Sequence, residues 1–113
     1  MEILFASRKL EKACNIEREG IRMWGPENAR KVRQRLAELS AADTLAAMST
    51  LPPARLHPLK GSLRGKFAVD VKHPFRLVFE PAHDPVPLTD DGGMDLNRIT
   101  RIQVLSIEDY HGD

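Results

Sequence analysis

The stretch that decides the fold runs from residue 66 to residue 80: Lys66-Phe67-Ala68-Val69-Asp70-Val71-Lys72-His73-Pro74-Phe75-Arg76-Leu77-Val78-Phe79-Glu80. Phe67, Val69 and Val71 alternate with Lys66, Ala68 and Asp70, the period of two that a half-buried strand shows. Phe75, Leu77 and Phe79 do the same against Arg76, Val78 and Glu80. The short link Lys72-His73-Pro74 joins the two runs as a hairpin. Arg76 is the exception, a cation on an inner strand between two large apolar neighbours.

Outward from this hairpin the chain divides into a helical half and an extended half. Upstream, Leu56-His57-Pro58-Leu59-Lys60-Gly61 ends a short strand near Arg55 to Leu59, and the Gly61 to Gly65 turn leads into the hairpin. Earlier still, Glu2 to Ala6 has the length of a strand, and Ser7 is placed to cap a helix that runs to about Trp24. Its apolar stripe is ragged: Leu10, Ala13, Cys14, Ile21 and Trp24. Gly25-Pro26 ends it and starts a second helix, in which Ala29, Val32, Leu36 and Leu39 share one face. Asp43 is placed to cap a third, short turn with Leu45 and Met48, before Pro52-Pro53. Downstream, Pro81 to Asn97 reads as a long mobile loop. A last strand at about Ile99 to Ile107 alternates poorly, which calls for burial on both faces or a bulge. The order of elements predicts an α+β domain, with an N-terminal strand and two to three helices packed on an antiparallel sheet.

Bulk properties narrow the functional classes. The 113 residues suit one domain, residues 1–113, with 42% hydrophobic and 29% charged residues. One cysteine cannot form an internal disulfide, no signal peptide or membrane-length apolar run is visible, and a soluble cytoplasmic protein is expected. The net charge of +1 hides a division. Residues 55–76 carry six cations against Asp70 alone, whereas residues 84–113 carry Arg98 and Arg101 against seven acids. No cysteine pair, His-x-x-x-His, phosphate-binding glycine loop or serine elbow occurs, so metal, nucleotide and serine-hydrolase sites are not indicated and no cofactor is expected.

Four features carry chemistry: the 56–61 segment with His57 and Lys60, Arg76, the terminal Glu108-Asp109-Tyr110-His111, and the basic helix with Arg30, Lys31, Arg33 and Arg35. Metal-free RNA cleavage needs a base for a ribose 2′-OH, positive charge beside the phosphorane, and an acid for the departing 5′-oxygen. Histidine suits the proton transfers, and lysine and arginine suit the charge. Tyrosine can donate a hydrogen bond or stack on a base. Each feature also has a plain structural reading: a wet tail, a surface strand residue, a cross-sheet ion pair at Arg76, the solvated face of an amphipathic helix.

Together, and in this order, these segments resemble the HigB branch of the RelE/ParE superfamily of type II toxin–antitoxin systems. The resemblance spans the chain and is sharpest at Leu56–Glu80 and Glu108–His111. It implies a microbial toxin that cuts mRNA in the ribosomal A site by metal-independent 2′-OH attack. His57, Lys60, Arg76, Asp109, Tyr110 and His111 fall on the family's catalytic positions. It further implies ribosomal RNA contacts through Arg30, Lys31, Arg33, Arg35 and Arg64, and a HigA-like helix-turn-helix antitoxin through which alone operator DNA is bound. Two alternatives share the scaffold: a ParE-like inhibitor of DNA gyrase, and an inert RNA-binding or interaction module. The whole reading expects the imidazoles of His57 and His111 to share one cationic cleft.

Overall fold

The computed structural model describes residues 1–49 and 54–109. Helix α1, Arg8–Asn15, starts where the Ser7 side chain accepts a hydrogen bond from the Leu10 N–H at 3.1 Å. The single long helix expected up to Trp24 is broken. Ile16 is extended (φ −111°, ψ 114°), and α2 occupies Glu17–Trp24. The break permits a close approach of α1 and α2: a Cβ on Gly20 would lie 2.6 Å from the Ala13 carbonyl oxygen. It also turns Ile21, expected on the buried stripe, to 37% exposure. The raggedness of that stripe was the trace of two helix axes.

Helix α3, Pro26–Ala41, begins at a proline and buries Ala29, Val32, Leu36 and Leu39 as their spacing requires. It also buries Asn28 and Arg35. The short α4, Leu45–Met48, is preceded by Thr44 rather than by the expected Asp43, and its Leu45 and Met48 are buried.

The strands are β1 (Glu2–Phe5), β2 (His57–Pro58), β3 (Phe67–Asp70), β4 (Phe75–Pro81) and β5 (Arg101–Asp109), in one sheet of order β1-β5-β4-β3-β2. The hairpin β3–β4 pairs Phe67 with Phe79 and Asp70 with Arg76. All neighbours are antiparallel except β1 and β5, which run parallel, so the sheet is mixed. The helices lie between β1 and β2 in sequence, and the chain returns to β1 only with β5. The register of β4 on β5 slips once: Val78 faces Ser106 but Phe79 faces Val104, leaving Leu105 as the extra residue of a bulge. This bulge is the cause of the poor alternation in the last strand.

One face of the sheet packs on the helices. Phe67, Val69, Leu77, Phe79, Ile102 and Val104 join Val32, Leu36, Leu39, Leu45 and Met48 in the main core. The segment from Pro81 to Asn97, expected to be a mobile loop, is made of turns with their own hydrogen bonds. Leu88 bridges Met94, the Asp95 N–H reaches the Pro87 carbonyl at 2.9 Å, and the Thr100 N–H donates to His83 Nε2 at 3.0 Å. Within it, the Thr89 hydroxyl and the Gly93 N–H donate to the Asp91 carboxylate and hold its pKa below the usual value. No helix among the described residues is long and apolar enough to cross a membrane.

Cys14 lies in the main core, and burial pushes its thiol up from 9.0 to about 12. A thiol that ionises later in the folded than in the unfolded chain gives stability that is complete below pH 9.0 and lost as the pH rises toward 12. Denaturant unfolding should therefore show wild type losing roughly 2–3 kcal/mol relative to Cys14→Ala between neutral pH and pH 11. Parallel pH curves for the two proteins would contradict this burial.

Candidate active site

The second face of the sheet carries the candidate residues, and alternation decides which side chains reach it. With Leu77 and Phe79 turned to the helices, β4 presents Arg76, Val78 and Glu80 on the other side. Cross-strand pairing extends these positions into rows: Asp70–Arg76–Glu108, then His57–Ala68–Val78–Ser106. Rows two residues apart lie roughly 7 Å from one another and adjacent strands about 4.8 Å, so the Cα atoms of His57 and Arg76 are about 12 Å apart.

Arg76 is only 7% exposed. Its Nη2 donates to Glu108 Oε1 at 3.1 Å, and the Ser106 hydroxyl donates to Glu108 Oε2 at 3.0 Å. A charge this far from water is tolerated where an opposite charge and hydrogen bonds compensate for lost solvation. Two rows further along β4, Lys66 Nζ lies 4.0 Å from Glu80 Oε1. A small second core of Leu59, Ala68 and Val78, with Leu63 and Leu105 against it, separates the rows from the turn at 61–63.

That turn builds the wall of a cleft. Gly61 adopts φ +64°, a conformation that costs a side-chain-bearing residue free energy, and starts a 3-10 turn, Gly61–Leu63. Leu59, Lys60, Gly61, Ser62, Leu63 and Arg76 line a hollow of about 400 Å³. Lys60 and Arg64 are exposed and form no ion pair with any described residue. Hollows of similar or larger size lie between α1 and α2 (Lys9 to Met23) and beside β1 (Met1 to Ser40), but neither contains Arg76 or adjoins the His57 row. The residue chemistry, rather than size, selects the Lys60–Arg76 cleft.

His57 is half-buried opposite Ala68, and its Nδ1 lies 2.6 Å from the Arg55 carbonyl oxygen. A carbonyl oxygen only accepts, so Nδ1 carries the proton and Nε2 of the neutral ring carries the lone pair. That arrangement can accept a proton from a bound hydroxyl.

The structure thus brings His57, Lys60 and Arg76 to one face, with Arg64 at the end of the turn. Asp109 is exposed and pairs with Phe75, so alternation sets it on the side of the sheet opposite to Arg76. Tyr110 and His111 lie outside the described residues, and with them the expected meeting of the two imidazoles. Of the basic helix, Arg30 is exposed and Lys31 and Arg33 are partly so. Arg35 departs from the expected wet face: it is 7% exposed, its Nε donates to the Asp70 carbonyl at 2.7 Å, and its Nη1 contacts both Glu38 oxygens at 3.2 Å. A guanidinium already committed to the fold on the α3 side of β3 is not offered to RNA. The cleft is also less cationic than residues 55–76 suggested, because Asp70 and Glu108 flank Arg76 and give its row one more negative than positive charge. Glu108 and Ser106 were the site residues that spacing alone missed. Their signal was alternation in β5, and the bulge at Leu105 hid it. Cys14 is remote from this face and its raised thiol is a poor nucleophile. No group of three metal-ligating side chains occurs among the described residues.

This fold is that of the YoeB/ParE-type toxins. The sequence matches no protein-family model and no curated protein, yet solved structures align over nearly its whole length. The YoeB–YefM complex from Staphylococcus aureus is similar at TM-score 0.56 and 17% identity, over 98% of this chain and 97% of that one. The YoeB/ParE toxin from Agrobacterium tumefaciens gives 0.54 and 14%, over 98% and 100%. The YoeB dimer from Staphylococcus aureus gives 0.54 and 18%, over 98% and 97%. At such identities the likeness establishes the fold.

Replacing Arg35 by Met strands the Asp70 carbonyl and the Glu38 carboxylate, and should cost about 1–3 kcal/mol in denaturant unfolding. Arg30→Met on the same helix should change stability by less than about 0.5 kcal/mol. Equal effects would return Arg35 to the solvent face.

Proposed function

We propose that this chain is the toxin of a type II toxin–antitoxin pair, of HigB type, and a metal-independent, ribosome-dependent mRNA endonuclease. The observation that carries the reading is the gathering of Lys60 and Arg76 in one cleft on the helix-free face of the sheet, with His57 on the same face one row away. The YoeB/ParE fold supports it, as do the terminal Asp109-Tyr110-His111 and the retained 56–61 segment.

In this mechanism His57 Nε2 accepts the proton of a ribose 2′-OH. The 2′-oxygen attacks the adjacent phosphorus, the bond from phosphorus to the 5′-oxygen breaks, and a cyclic 2′,3′-phosphate and a 5′-hydroxyl result. Arg76 and Lys60 place positive charge where the phosphorane gathers negative charge. His111 delivers the proton that the leaving oxygen needs, and Tyr110 stacks on or orients a base. Arg30, Lys31, Arg33 and Arg64 hold ribosomal RNA phosphates, an interaction that weakens with salt. The natural inhibitor is a HigA-like helix-turn-helix antitoxin, which also carries the pair to operator DNA in the cytoplasm. That one of the similar structures is a complex of YoeB with YefM favours such a partner.

Inducing the chain alone and mapping mRNA 5′ ends tests this reading. Cuts inside translated codons are expected, and His57→Gln should slow cleavage by about 10²–10⁴-fold. Arg76→Met should slow it by about 10²–10³-fold. Double-strand DNA breaks with intact mRNA would replace the nuclease with a gyrase poison. Full-strength cleavage by both variants would remove these residues from the mechanism.

A further inference from the structure

Arg55 is the one described residue other than glycine with positive φ, at +50°. Such a conformation is costly for a residue with a Cβ and persists only where its surroundings impose it. The strand register shows what imposes it. His57 faces Ala68 and Pro58 faces Phe67, so a regular continuation would set residue 55 against Asp70 and exchange both backbone hydrogen bonds. Neither is made as the ladder dictates. The Asp70 N–H passes over Arg55 and donates to the buried Ala54 carbonyl at 2.8 Å. The Asp70 carbonyl takes Arg35 Nε at 2.7 Å in place of a backbone donor. Arg55 is therefore lifted out of the ladder, its carbonyl is released from Asp70, and that carbonyl meets His57 Nδ1 at 2.6 Å. Its side chain stays tied to the same residue, with Nη1 3.2 Å from Asp70 Oδ2.

We infer that Arg55 is a positioning residue, whose left-handed backbone and ion pair with Asp70 lock His57 as its Nδ1–H tautomer. The inference rests on the reading of His57 as the proton acceptor. Free imidazole side chains favour the other tautomer, with the proton on Nε2, and in that form the ring could not take a proton through Nε2. The released carbonyl reverses the preference, and it also stabilises the ring orientation as charge develops after proton transfer. The ion pair is largely solvent-exposed at Arg55 and contributes little to stability by itself. Its effect is to choose a backbone conformation. Arg35 supports the device from the opposite layer by occupying the acceptor that would draw Arg55 back into the ladder.

The test separates ring chemistry from turnover. Long-range proton–nitrogen correlation spectra of histidine-labelled protein, at a pH where the ring is neutral, report the tautomer of each of the four histidines. His57→Gln assigns the signal. Wild type should show Nδ1–H at His57. Arg55→Gly keeps positive φ accessible and loses only the ion pair, so it should keep most of that tautomer and lose less than about tenfold in kcat. Arg55→Pro fixes φ near −65° and should move the ring to Nε2–H, with kcat falling by about 10²-fold or more and KM little changed. Should the proline variant fail to fold, Arg55→Val, whose β-branched side chain strongly disfavours positive φ, should give a mixed tautomer with an intermediate kcat. An Nε2–H ring in an active wild type, or proline and glycine variants alike in tautomer and kcat, would overturn the positioning role and leave the nuclease reading standing. An Nδ1–H ring in a chain that cuts no RNA on ribosomes would overturn the nuclease reading, and with it the purpose given to the lock.

Discussion

The open face of the sheet depends on a cation that must be kept away from water. Arg76 occupies a central strand whose neighbouring residues, Phe75 and Leu77, are committed to the helical side. Its guanidinium can go only to the other face, where the turn at 61–63 covers it. Burial there costs several kcal/mol unless a partner compensates. The sheet supplies that partner across β5 in Glu108, whose second oxygen is held by Ser106. Removing Glu108 takes away the carboxylate that faces this guanidinium above an apolar floor of Val78, Ala68 and Leu59. The arrangement fixes the orientation of the Arg76 guanidinium, and under the proposed function this is the preorganisation that electrostatic catalysis requires.

Two interruptions of regular β-structure border this face. Leu105 is the extra residue in β5, and it places Ser106 and Glu108 beside Arg76 while Ile102 and Val104 stay in the core. Arg55 is lifted out of the β2–β3 ladder, and it frees a carbonyl for His57. Bulges and irregular ladders re-aim side chains where a uniform strand would misplace them. The helical layer is linked to the second interruption through Arg35. The same layer that buries Leu36 and Leu39 thus also determines the state of a ring on the far side of the sheet.

Much of this was legible in the chain. The alternation of residues 66–80 specifies the hairpin and its buried side, because period-two patterning and burial of one face are the same statement. Gly25-Pro26 marks a helix boundary through backbone chemistry alone. The helix break at Ile16 was not legible, since no glycine or proline stands at it, and the break is what lets Gly20 pack against Ala13. The parallel pairing of β1 with β5 joins residues about a hundred positions apart and leaves no local pattern. Within the site, His57, Lys60 and Arg76 could be named from residue type and spacing. Asp109 could not be placed, because one bulge residue reverses which side of the sheet each later side chain takes. Arg35 read as a surface cation because helical periodicity does not reveal an acceptor presented by a distant strand.

The central claim is that Arg76 and Glu108 are energetically coupled across the sheet. A double-mutant cycle with Arg76→Met, Glu108→Gln and the combined variant, followed by denaturant unfolding, measures that coupling apart from other effects of each substitution. Glu108 is 38% exposed at its side chain, so solvent screens part of the interaction, and a coupling of about 1–2 kcal/mol is expected. A coupling indistinguishable from zero would mean that the buried guanidinium is compensated elsewhere, and that the open face is not organised around this pair.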